Sequence, residues 1–272
     1  MVTIKKSIHR VSDFEKVVWD VFFQSKNRGV SLSRHFPWIL KRDDAAYYML
    51  AELEGQIVGG LVVKEWVGSF HGHKVKIGLI GLVCIAPNFR GRGIANTLLD
   101  ATLKQAIDDG FDVLTLWTGK PSLYRLHGFV EGDVWAYGWA RRTNIKEPKT
   151  SLIDFSAELV EMQNAAIPPF ALSVYELIGS QSSVSLVEDT AGWIVTGYKG
   201  NVKEAAFSMM QILPESWRIN LEKDDTLRDE LNYLGYELYV RPANLQMWLC
   251  ISSDYSIDEL IEKLRIPVLE RI

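Results

Sequence analysis

Arg90-Gly91-Arg92-Gly93-Ile94-Ala95 brings two glycines and two cations together directly before an apolar-periodic stretch. Glycines let a backbone approach a ligand without side-chain clash. A helix start supplies unpaired N–H groups and a partial positive charge, and Arg90 and Arg92 add full charge. These parts make a phosphate cradle. Two other cradles are excluded. The dinucleotide fingerprint needs a third glycine or alanine where Asn96 stands, and a P-loop needs Ser or Thr where Pro121 follows Gly119-Lys120.

The elements around the loop are legible. A β-rich run, Val75 to Ile85, stops at Pro87, and a helix is expected from Ile94 to Asp109 with Gly110 closing it. Val113 to Trp117 reads as a buried strand, and Leu123 to His127 as a short helix ended by Gly128. Upstream, Phe14, Val17, Val18 and Phe22 recur at helical spacing after Ser12-Asp13, and a second helical piece is expected from Ser33 to Lys41. Tyr47 to Val63 reads as a hairpin turning at Gly55. Val134 to Ala140 reads as the closing strand of this first domain.

The polar stretch Arg141 to Thr150 marks the expected boundary, giving a domain over 1–145 and another over 151–272. In the second, Ala157 to Ala165 reads as helix. Trp193–Tyr198 and Ala205–Leu213 read as a hairpin turning at Lys199-Gly200-Asn201. Arg218–Leu221 and Gln246–Ile251 read as strands, and Leu227–Leu234 and Tyr255–Leu264 as helices. Gly128-Phe129 and Gly235-Tyr236 each follow a strand and a short helix, which suggests a degenerate duplication.

The 272 residues carry 47% hydrophobic and 24% charged side chains with a net charge of -4, which fits a globular chain and argues against a general nucleic-acid surface. No apolar stretch is long enough for a membrane span, and no secretory leader is visible. Cys84 and Cys250 are the only cysteines, both in apolar runs, so a reducing, cytoplasmic setting is expected. His71-Gly72-His73 lacks a nearby third ligand, so no metal is expected.

The loop resembles the central Arg/Gln-x-x-Gly-x-Gly/Ala motif of the GNAT-type N-acetyltransferases, matched by Arg90, Gly93 and Ala95. Tyr124-Arg125-Leu126-His127-Gly128-Phe129 resembles the family's later Tyr-x-x-x-Gly-Phe element, one helix and one strand further on. The resemblance covers roughly Ile4 to Arg141. It implies an α/β mixed-sheet GNAT fold followed by a smaller, GNAT-like α+β domain. It also implies acetyl-CoA as cosubstrate, with pantetheine on the backbone of Val83, Cys84 and Ile85. The pyrophosphate would rest on Arg90, Gly91, Arg92, Gly93, Ile94 and Ala95, and Tyr124 would stand near the thioester sulfur. Many members carry an asparagine near the end of the second strand, and none occurs between Val113 and Tyr124. That departure resembles the branch of the enhanced-intracellular-survival acetyltransferases. Those enzymes have a further domain for which this chain is too short, so their substrate class does not carry over.

The implied reaction is direct attack of an amine on the thioester in a ternary complex. A lysine-like amine has a pKa of about 10.4, so selecting its neutral form near pH 7.4 costs roughly 4–5 kcal/mol, and a base is expected. The glutamate some members use is missing, because Lys74 to Ile85 contains no acidic residue. Glu65, His71, His73 and His127 are the substitutes, each of which also reads as an ordinary solvated or hydrogen-bonded side chain. Tyr124 is the expected general acid to the CoA thiolate, and Trp117 a wall of the acyl pocket. The acceptor is a small-molecule or peptide amine, a homo-oligomer is compatible, and a non-catalytic acetyl-CoA sensor is the alternative function.

Overall fold

A computed structural model of the chain describes residues 1–24, 30–37, 45–143 and 156–272. They form two compact units. One comprises Met1–Asp133, Asn244–Ile266 and Glu270–Ile272, the other Val134–Ala243 and Pro267–Leu269.

The first unit is built on a seven-stranded sheet. Its strands are β1 (Thr3–Ser7), β2 (Ala46–Leu53), β3 (Gln56–Phe70), β4 (His73–Ile85), β5 (Val113–Trp117), β6 (Val130–Glu131) and β14 (Gln246–Cys250), in the order β1-β2-β3-β4-β5-β14-β6. Its helices are α1 (Ser12–Phe22), α2 (Leu32–His35), α3 (Ile94–Asp108), α4 (Pro121–Arg125) and α7 (Ile257–Lys263). Both faces of the sheet are covered, which is why β2 and β4 read as nearly continuous apolar runs. Met49, Ala51, Leu61 and Val63 pack with Leu98 and Leu99 of α3. Their alternates Tyr48, Leu50 and Val62 pack with Phe14 and Val18 of α1. Leu260 and Leu264 pack with Ile77, Leu79 and Trp248.

Most neighbours in this sheet are antiparallel. The exception is β4 with β5, which run parallel and pair only from Ile77↔Val113 to Leu79↔Thr115. Asp112 fastens their base: its carboxylate accepts from Lys76 N at 2.7 Å and its own N–H donates to Lys76 O at 2.9 Å.

The second unit has its own seven-stranded sheet, ordered β13-β7-β12-β11-β10-β9-β8. Its strands are β7 (Trp135–Arg142), β8 (Glu158–Glu161), β9 (Ser173–Ile178), β10 (Ser182–Asp189), β11 (Gly192–Gly200), β12 (Ser216–Glu222) and β13 (Tyr236–Pro242). Helices α5 (Val202–Ile212) and α6 (Leu227–Tyr233) share its main core, through Ala205, Ala206, Met209, Leu227 and Leu231. The order of parts repeats that of the first unit: a strand, a glycine, a helix, a parallel strand, a short helix and a left-handed glycine. Here these are β11, Gly200, α5, β12, α6 and Gly235, the two glycines at φ 80° and 87°.

Several expectations are corrected. The closing strand of the first half, β7, lies in the second sheet between β12 and β13, and β14 lies in the first between β5 and β6. The compact units therefore differ from 1–145 and 151–272. Ala205–Leu213 is helical apart from its last residue, because Asn201 caps the helix start by accepting from Lys203 N and Glu204 N. Residues 158–161 form a strand rather than a helix, pairing with β9. At α1 the N-cap is Val11, with no side-chain cap from Ser12 or Asp13. Residues 38–41 of the second expected helix lie outside the described residues, as do 144–150 of the expected linker.

Candidate active site

β4 carries a bulge just past its last pairing with β5. Against β3, Gly60 faces Cys84 and Val62 faces Gly81, so Leu82 and Val83 stand opposite Leu61 alone. Leu82 takes a φ of 54°, a left-handed conformation rare for a branched side chain. Bulges of this kind re-aim a strand beside functional sites. From Ile80 to Ile85 the other edge of β4 has no ladder to β5, because the two strands have parted. β5 meanwhile stays backed along its length by β14. The result is a wedge opening towards the loop. Nothing in the sequence marked Leu82, since a leucine in an apolar strand carries no signal of its own backbone angle.

After β4 come a short 3-10 turn, Pro87–Phe89, and the loop into α3. Gly91 and Gly93 have φ of 75° and 74°, and a side chain added at either would meet no atom within 4 Å. Their conformation, rather than crowding, calls for glycine. Among the described residues, the amides of Gly91 to Ala95 donate no backbone hydrogen bond, and α3 has no side-chain cap. A cavity of about 260 Å³ lies over them, lined by Ile85, Phe89, Arg90, Ile94, Ala95 and Asn96 among others. Free amides, open space and a helix N-terminus fit a polyphosphate group.

The arginines have structural duties. Arg90 Nε donates to Ile85 O at 2.9 Å, tying the loop to the end of β4. Arg92 donates to Asn88 O at 3.3 Å and stands 5.4 Å from the Phe89 ring centre. Each leaves other guanidinium nitrogens for an anion.

Tyr124 of α4 is brought to this place. It shares one core cluster with Ile85 and Ile94, and Val83 and Ala95 pack against that cluster. Burial pushes the Tyr124 hydroxyl up to about 12, opposed by a hydrogen bond from Thr118. Burial likewise pushes the Cys84 thiol up to about 12, with Arg90 pulling the other way. Cys84 is therefore an inert, buried hydrophobe.

The proposed bases do not gather here. His71 and His73 sit at the hairpin turn joining β3 to β4, and His71 Nε2 lies 3.4 Å from Lys263 Nζ. Leu82 is about nine residues along the strand from His73, roughly 30 Å away. Glu65 pairs with Lys76 at 3.3 Å. His127 is closer to the cradle: Nδ1 lies 3.0 Å from Asp100 Oδ1 and Nε2 3.4 Å from Asn96 Oδ1.

Residues 270–272, which the sequence reading left out, reach the wedge. A side chain on Gly81 of β4 would come within 2.5 Å of the Ile272 backbone. The Arg271 guanidinium lies 4.8 Å from the Trp117 ring centre, at the free end of β5. Burial pushes Arg271 down to about 10, while Asp133 pulls it back up. Trp117 Nε1 is buried without a hydrogen-bond partner. Among the described residues, no three His, Cys, Asp or Glu side chains are placed to hold a metal ion, and no helix is long and apolar enough to cross a membrane.

The chain is similar to known proteins over this same region. Residues 11–129 match the model of the acetyltransferase (GNAT) family. An uncharacterised N-acetyltransferase of Methanocaldococcus jannaschii is 29% identical over 39% of this chain and 48% of its own length. One of Archaeoglobus fulgidus is 32% identical over 36% of this chain and 65% of its own length. The match thus spans less than two thirds of either relative. A GCN5-related N-acetyltransferase of Anabaena variabilis superposes with a TM-score of 0.64 at 14% identity, over 92% of this chain and 73% of its own. That likeness runs through both units and shows their shared fold. The glycine loop and the parting of β4 from β5 lie inside the region that matches the acetyltransferase (GNAT) family, and the chain has the fold of GNAT proteins in two GNAT-like halves.

Proposed function

We propose that this chain moves the acetyl group of acetyl-CoA onto an amine. One juxtaposition carries the reading. Beyond Leu79 β4 parts from β5, and the far end of β4 at Ile85 shares one core cluster with Ile94 and Tyr124, next to the amides of Gly91 to Ala95 that donate no backbone hydrogen bond. The pyrophosphate would rest on those amides. Pantetheine would take the unladdered edge of β4 at Val83 to Ile85, and the thioester would lie between the bulge and Tyr124. The amine nitrogen forms a bond to the carbonyl carbon, the C–S bond breaks, and the sulfur keeps the electron pair. Tyr124 gives its proton to that thiolate and recovers one from solvent.

The raised Tyr124 value bears on this step. A thiol in water has a pKa of about 8.5, so donation from a group near 12 would be uphill by roughly 5 kcal/mol. The same burial acts on the thiolate, as it does on Cys84, and narrows the gap. The acceptor's own proton leaves through water, since Glu65, His71 and His127 each have another polar neighbour. A reducing, cytoplasmic setting fits the two free cysteines. Release of CoA thiol from acetyl-CoA with a panel of primary amines tests the reading. No release with any amine, together with no stabilisation by acetyl-CoA, would sink it. Stabilisation without release would favour an acetyl-CoA sensor, a reading supported by the missing carboxylate between Lys74 and Ile85.

A further inference from the structure

The second unit has a parted pair of its own. β11 and β12 run parallel and pair only at Ile194↔Arg218 and Val195↔Ile219. Beyond them lies a cavity of about 270 Å³, and all of its lining belongs to this unit. This cleft is the counterpart of the wedge in the first unit, yet its chemistry is opposite. The start of α5 is already satisfied, because Asn201 Oδ1 accepts from Lys203 N at 3.0 Å and Glu204 N at 3.1 Å. The buried Glu204 adds a negative charge to the same turn, and no arginine lines the cavity. A phosphate would find the Lys203 and Glu204 amides already taken and no arginine to meet it.

What the cleft does offer is two carboxylates, Glu222 and Asp225, and two rings, Trp135 and Tyr198. Asp225 Oδ1 accepts from Tyr198 Oη at 2.8 Å and from Leu227 N at 2.9 Å, while Oδ2 accepts from no described residue. Lys199, which is exposed, is the one cationic side chain among the residues that line the cavity. Asn220 adds an independent sign. It is 9% exposed, it lines the cavity, and its Nδ2 has no hydrogen-bond partner. A buried amide donor without a partner has lost its hydration uncompensated, and a bound oxygen would restore the missing hydrogen bond.

We infer that this cleft binds a small organic ammonium bearing a nearby oxygen acceptor, of the amino-sugar or amino-alcohol class. The ammonium is held by Glu222 and Asp225 against the faces of Trp135 and Tyr198, and the oxygen accepts from Asn220. The cavity has the volume of about nine water molecules, enough for a ligand of roughly ten heavy atoms. The inference does not rest on acetyl transfer in the first unit.

Calorimetric titration of the full chain with glucosamine, ethanolamine, neutral N-acetylglucosamine and CoA is the test. Glucosamine or ethanolamine should bind, and N-acetylglucosamine should bind at least about tenfold more weakly, having lost its charge. Glu222→Gln and Asn220→Leu should each weaken the ammonium by about tenfold or more. Tyr198→Phe, which removes only a hydroxyl, gives a third reading should either variant melt early. Acetyl-CoA stabilisation, measured in parallel, should be the same in all three variants, so failure in one unit is distinguishable from failure in the other. Absence of binding by both ammonium probes overturns the inference. So does affinity unchanged in the variants, which would place the ammonium elsewhere, or CoA binding that the variants abolish.

Discussion

Gln246 Nε2 donates to Thr115 Oγ1 at 3.2 Å across 131 residues of sequence. The hydroxyl in turn donates to Met247 O at 2.8 Å, so β5 and β14 are joined by buried side-chain bonds as well as by their ladder. The bond records an exchange in which each half of the chain gives a strand to the other's sheet.

A fragment covering 1–145 should therefore not fold cooperatively. It lacks β14, which leaves β5 and β6 without the strand that joins them, and buried Trp248 and Met247 are lost. A fragment covering 151–272 lacks β7 between β12 and β13 and should behave likewise. Circular dichroism melting checks both. A sharp transition in the first fragment, with a response to acetyl-CoA, would show that β14 is dispensable.

Gly93→Asp should abolish the thermal stabilisation given by acetyl-CoA, worth about 2.7 kcal/mol at a hundredfold excess over Kd. It combines a negative charge with a φ of 74°. Gly93→Ala separates the two effects, because space is open there and only the left-handed backbone costs, about 1–2 kcal/mol. An aspartate variant stabilised as much as the parent would remove the cradle from this loop.

Tyr124→Phe should lower turnover by roughly 10²–10⁴-fold while leaving acetyl-CoA affinity nearly unchanged. Steady-state rates with the best amine, alongside calorimetric affinity, are the measurement. Near-normal turnover would reduce Tyr124 to packing against Phe129, whose ring centre is 6.0 Å away.

Stability should fall on the alkaline side. The folded values of Cys84, Tyr48 and Tyr124 are pushed up to about 12, from ordinary values of 9.0 for the thiol and 10.0 for the phenols. Folding thus favours the protonated forms. Their contribution is complete below pH 9 and is lost as pH rises towards 12. Urea midpoints measured across that range should decline from the thiol's value onward. Cys84→Ala should delay the onset to about pH 10, where the tyrosines begin. A midpoint independent of pH up to 12 would mean these groups are more exposed than described.

Legibility followed the kind of signal each element carries. The loop and α3 were readable because glycine, arginine and a helical apolar face coincide there. Gly128-Phe129 and Gly235-Tyr236 did mark equivalent points of the two halves. α5 was misread because Ala205, Ala206, Phe207, Ser208 and Met209 are all buried, so the run has little visible periodicity. The cap at Asn201, mistaken for a hairpin turn, was the better sign. β7 and β14 were recognised as strands but assigned to the wrong sheets, since alternation reports which face is buried and not which neighbour is paired. The bulge at Leu82 depends on β3 and β4 together, and no single residue records it.

The exchange also sets an order of events on the ribosome. Synthesis runs from the N-terminus, and β14, which joins β5 to β6 in the first sheet, is made after all seven strands of the second sheet. During that interval the edge of β5 is an open template for any passing strand. A nascent chain of this design holds its earliest-made core unfinished until its latest-made strand emerges, so its window for mispairing lengthens with translation time.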